Sequence, residues 1–121
     1  MKYKLSESEV RTQLHQLLAD MRHPKEVGEF LDVFLSPNVT SKLARRVEAL
    51  KQFDSGMSYQ EVKQSTQLPV TSVTAMSEAV TLPIGHRVLE RLRSHSWAIS
   101  VLKKFETLLQ PDPPHQREQT L

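Results

Sequence analysis

Apolar residues recur at intervals of three and four along most of the chain, the spacing of a helix face, and no stretch shows the alternation of a strand. Ser6 and Glu9 have capping-box spacing. Behind them Val10, Leu14, Leu17, Leu18 and Met21 fall on one side, so a helix is predicted from about Glu7 to Arg22. Pro24 suits the first turn of a second helix, whose stripe is Val27, Phe30, Leu31 and Phe34. Ser36-Pro37 is a cap followed by a first-turn proline. It opens a third helix to about Ser55, with Val39, Leu43, Val47 and Leu50 inward and Gly56 as its stop.

The stretch "SGMSYQEVKQSTQLPVTSVTAMSEAV" then reads as two short helices with almost nothing between them. Ser58 and Glu61 form a second capping box, and the helix they open ends near Ser65. Pro69 is excluded from a helix interior but suits a first turn, so the next helix runs from near Pro69 to about Val80. Thr81-Leu82-Pro83 breaks the chain again. A last helical region covers about Ile84 to Leu109, with the stripe Val88, Leu92, Ile99, Leu102 and Leu109. Ser94-His95-Ser96 interrupts the stripe and predicts a kink or a division into two helices. Residues 110–121, "PDPPHQREQTL" after Gln110, hold three prolines and no core residues, and read as a disordered tail. The expectation is one all-α domain over residues 1–109.

Composition narrows the function. The chain has 121 residues, three glycines and no cysteine, which fits a reducing, cytoplasmic setting and excludes disulfides and thiolate metal sites. No apolar run approaches the ~18 residues of a membrane span. Net charge is +2, which permits nucleic acid as a partner without requiring it. The five histidines do not pair at helical spacing and read as solvated, so no metal is expected. Neither a phosphate loop nor a nucleophile motif occurs, so no enzyme and no cofactor are expected. Trp97 reads as a packing or dimer residue, and Met21, Met57 and Met76 as core.

The pair of short helices at about 58–80 has the form of a helix-turn-helix, which needs a bracing helix, a tight turn, and a second helix with one dry and one wet face. Val62, Leu68, Val73, Met76 and Val80 supply the dry side, Leu68 as the plug in the turn. Thr71, Ser72 and Thr74 supply small polar groups at the start of the second helix. There hydroxyls and the positive helix end can meet phosphates or base edges. Gln60 and Lys63 on the bracing helix can reach the DNA backbone. The second helix has no Arg or Lys and carries Glu78. An αα-hairpin inside a protein-interaction module therefore stands as the alternative.

The stretches "FLSPNVTSKLARRVEALKQFDSGMSYQEV" and "PVTSVTAMSEAV" resemble the Trp repressor family, in its uncharacterised Trp-repressor-like branch. The likeness runs from about Leu17 to Val80, roughly half the chain. It implies an interleaved homodimer of six-helix subunits that binds double-stranded DNA and regulates transcription. It also implies DNA contacts at Arg45, Arg46, Gln60, Lys63, Val70, Thr71, Ser72 and Thr74. Gln60 stands where the family's repressor has a base-contacting arginine, so a different target sequence is implied. In that repressor tryptophan lies between two arginines. Here Arg46 matches the first, Ala75 replaces the second, Met76 replaces a small residue that makes room for the indole, and Ala79 replaces a hydroxyl. Tryptophan is therefore not expected as a ligand.

Overall fold

The computed structural model describes residues 4–109. They form six α-helices and, among the described residues, no strand: α1 Glu7–Asp20, α2 Pro24–Phe34, α3 Pro37–Asp54, α4 Tyr59–Thr66, α5 Val70–Ala79 and α6 Pro83–Leu109. The tail expected over residues 110–121 lies outside the described residues. No helix among those described is long and apolar enough to cross a membrane. The chain divides into two compact units, residues 1–47 and 48–121, and the division falls inside α3.

In the first unit the elements are set by local chemistry. The Ser6–Glu9 box closes in both directions: the Glu9 N–H donates to the Ser6 hydroxyl at 3.2 Å, and the Ser6 N–H donates to the Glu9 carboxylate at 3.1 Å. α1 ends at Asp20, two residues before the expected end, with Met21 already extended. Pro24 disfavours helical geometry for the residue before it, and His23 is extended as well. Pro24 stands in the first turn of α2. The Ser36 hydroxyl accepts from the Val39 N–H at 3.3 Å at the start of α3. The predicted stripes are present, but they are largely uncovered. α1 and α2 contain no buried residue. Leu14, Leu17 and Leu18 are 44, 46 and 42 % exposed. Val39 and Leu43, expected inward on α3, are also exposed. On α2, Phe30 and Phe34 stack with ring centroids 4.6 Å apart, which half-buries Phe30 and leaves Phe34 open.

The second unit holds the core. Ala49, Val62, Leu68 and Val73 are buried together, and Phe53, Met57, Tyr59 and Met76 pack around them. α4 and α5 are the most extensively packed pair of helices. α3 stops as Gly56 requires. Gly56 has φ 93°, its N–H donates to the Phe53 carbonyl, and the Met57 N–H reaches back to the Gln52 carbonyl at 3.1 Å. This paired return of two N–H groups caps the helix end and aims Met57 at the core. An ion pair of 2.6 Å joins Arg93 of α6 to Asp54 at the end of α3.

α6 is one uninterrupted helix of 27 residues, so of the two alternatives expected at Ser94-His95-Ser96, a kink or a division, the division is not found. Serine and histidine cost only about half a kcal/mol each in a helix interior, too little to break the backbone ladder. Those positions are exposed and interrupt only the apolar stripe. The stripe itself is shifted: Leu89 is buried, Val88 and Leu92 are half-buried, and Ile99, Leu102 and Leu109 are exposed.

Candidate nucleic-acid interface

The α4–α5 hairpin is built from three local devices. The Ser58–Glu61 box opens α4: the Glu61 N–H donates to the Ser58 hydroxyl and the Ser58 N–H to the Glu61 carboxylate, both at 3.2 Å. Hydrogen bonds from Ser58, first its side chain and then its backbone, hold the Glu61 carboxyl below the usual carboxylate range. The turn between the helices is left-handed at Gln67, φ 55°, and the Gln67 N–H donates to the Lys63 carbonyl at 3.0 Å. Leu68 follows and is buried, the apolar plug that holds the turn closed. Pro69 then stands at the cap of α5, with no side-chain hydrogen bond to the helix start. The Ser72 and Val73 N–H groups both donate to the Pro69 carbonyl, at 3.0 and 3.1 Å, so the open donors of this end are the N–H groups of Val70 and Thr71, at the positive end of the helix dipole.

Val62 and Val73 are fully buried on the facing sides of the two helices. Thr66 is also buried, and its hydroxyl donates to the Val62 carbonyl at 2.8 Å, so its polarity is spent inside its own helix. The outer edge of α5 then exposes Val70, Thr71 and Thr74, and α4 exposes Gln60 and half-exposes Lys63. These five residues belong to the same hairpin. Arg45 and Arg46 are exposed on α3 and belong to the first unit.

Two side chains differ from the expected wet face. Ser72 is 4 % exposed, so it belongs to the packed side. Ser72 and Val73 are consecutive and so about 100° apart around the helix, which means the covered arc of α5 spans at least that angle. A serine is small and polar, so sequence alone puts it on the outside. Thr74 is exposed, but the Tyr59 hydroxyl lies 3.4 Å from its hydroxyl and 3.4 Å from the Val70 carbonyl. Tyr59 thus braces the start of α4 against the outer edge of α5. It is a residue the sequence reading passed over, although an aromatic directly after a capping serine could have marked it. Thr71 is exposed on the same edge.

The positions implied for a ligand are filled differently from a binding pocket. Met76 packs against the core, and Ala75 and Ala79 are half-buried small residues with no charge to offer a carboxylate.

The edge is sparing in charge. Between residues 59 and 80 the one cation is Lys63, against Glu61 and Glu78. Among the described residues no group of three or more His, Cys, Asp or Glu comes together as a metal site would require. No protein-family model, no curated protein and no solved structure matches the chain.

Proposed function

We propose that this chain is a DNA-binding transcriptional regulator of the Trp repressor type that binds the duplex through the N-terminal edge of α5. The observation that carries the reading is the hairpin itself. Its inner side is dry at Val62, Leu68 and Val73, and its outer edge combines Thr71 with the open N–H groups at the start of α5. Such a start suits a duplex, because backbone phosphate accepts from its N–H groups and small side chains let the helix approach. Val70 adds an apolar contact of the kind that meets a thymine methyl. Titration of duplex DNA with the protein and with Thr71→Asp tests the reading.

The protein is expected to act as a homodimer, which also brings two helix edges to one duplex. The uncovered stripe of α1 and the exposed Val39 and Leu43 of α3 support it. Tryptophan is not its effector. Met76 occupies core space, and Ala75 supplies no cation, so a buried carboxylate would lack its partner, at a cost of several kcal/mol. Calorimetry with millimolar L-tryptophan should give no saturable heat, and a saturable isotherm would return the chain to the tryptophan-gated repressors.

A second reading is favoured by a specific observation. α5 lacks Arg and Lys, Ser72 is buried, and the Thr74 hydroxyl is shared with Tyr59. Those features suit an all-α dimer that serves protein interaction with little or no DNA binding.

A further inference from the structure

The hairpin holds too few cations to bind a polyanion alone, and in the same unit the first half of α6 carries Arg87, Arg91 and Arg93. We infer that Arg87 and Arg91 form a second anion-binding surface that grips the DNA backbone in addition to the α5 edge. This rests on the reading of α4–α5 as the DNA-binding element and extends it to another helix.

Three observations carry the inference. First, α6 divides its arginines by role. Arg93 is paired with Asp54 at 2.6 Å and helps fix the helix. Arg87 and Arg91 are exposed, and among the described residues neither has an ion pair. Glu90 stands between them in sequence but does not neutralise either. Like charges four residues apart on a helix repel by a few tenths of a kcal/mol. An anion bound to both removes that cost.

Second, the phase of the helix separates the two faces. Gly85 and Leu89 are buried and Leu92 is half-buried. At about 100° per residue, Arg87 and Arg91 lie about 40° apart and on the far side of the helix from that buried arc. They are about 6 Å apart along the axis. With Glu90, Ser94 and His95 they line an open depression of about 620 Å³, wide enough for phosphate groups and too open for a small ligand to be enclosed.

Third, this face is held in a fixed relation to α5. A Cβ at Gly85 would collide with the Ala79 carbonyl of α5, so the first turn of α6 lies directly on the last turn of the reading helix. The Leu82 N–H donates to the Ala79 carbonyl at 3.0 Å and the His86 N–H to the Leu82 carbonyl at 3.1 Å, which leaves no slack in the connection. The start of α6, which carries Arg87, is therefore packed directly on the end of α5.

The experiment is duplex binding as a function of salt for the full-length protein, Arg87→Gln, Arg91→Gln and the double variant, beside Thr71→Asp. Circular dichroism confirms helicity, and each single variant can be read if the double variant does not fold. Each arginine that neutralises one phosphate should make the log–log salt slope shallower by about 0.9 per subunit, with affinity falling alike on all sequences. Arg91→Lys should retain the slope. Unchanged slopes in the Gln variants while Thr71→Asp abolishes binding would overturn the inference and leave the α5 reading standing. Loss in the Gln variants with Thr71→Asp still bound would overturn the α5 reading, and with it the inference as a second surface, leaving α6 as the DNA-contacting helix. A loss confined to particular sequences, or binding of the Gln-sensitive face to anionic vesicles with no duplex bound, would also overturn it.

Discussion

Gln67 holds a left-handed backbone, a conformation that costs a residue with a side chain about 1 kcal/mol relative to glycine. Its N–H closes the end of α4, so the strain is local to the turn and serves its tightness. Gln67→Gly should relieve it, although glycine also frees the unfolded chain. A net stabilisation of about 0.5–1 kcal/mol is expected in urea unfolding, and a destabilisation would show that the glutamine side chain has a role in the turn. The turn was legible in sequence between Ser65 and Pro69, but the strain at Gln67 was not, because its φ follows from how tightly the two helices must be joined. The same limit explains Ser72 and Ala49. Both are small, neither marks an apolar stripe, and both are buried by partners far along the chain or across the hairpin.

Helix ends were the most legible elements because their signals are local. Ser6–Glu9, Ser36-Pro37, Gly56, Ser58–Glu61 and Pro83 each act within a turn or two of backbone, and each does what its residue type requires. The junction of α5 and α6 was less legible. Gly85 reads as an ordinary glycine near a helix start, yet it is the point where two helices touch backbone to backbone. A methyl group there meets a carbonyl that belongs to the last turn of α5 and has little room to move. Gly85→Ala should therefore cost about 1–3 kcal/mol, the range for overpacking a close contact. It should also disturb α6 and leave the Ser58–Glu61 box intact. Denaturant unfolding gives the cost, and amide exchange gives its location. A variant as stable as the parent would mean that α5 and α6 meet less closely than described. The exposed second half of α6, with Trp97, Leu102 and Phe105 open, was likewise unreadable: periodicity finds an apolar side but not whether anything covers it.

At the scale of the molecule, a chain that leaves α1 without one buried residue has not finished burying its apolar surface. Burying a fully exposed leucine is worth about 1.5–3 kcal/mol, and Leu14, Leu17 and Leu18 are each a little under half exposed, so a partner that covers the rest of all three adds about 2–4 kcal/mol before the cost of association. The protein should sediment as a dimer at micromolar concentration, and a folded monomer there would remove the basis for a two-fold DNA complex. Whether the dimer reads DNA turns on one edge of one helix. Thr71 is exposed, stands at the positive end of α5 and lies outside the core cluster, so an aspartate there should leave the fold intact. Against a duplex it sets a negative charge beside phosphate. The direct measurement is a titration of genomic fragments at two salt concentrations with the protein and with Thr71→Asp. The expected result is salt-sensitive binding by the protein and none by the variant at equal helicity. Equal retention of DNA by both, or no binding by the protein even at low salt, would contradict the account.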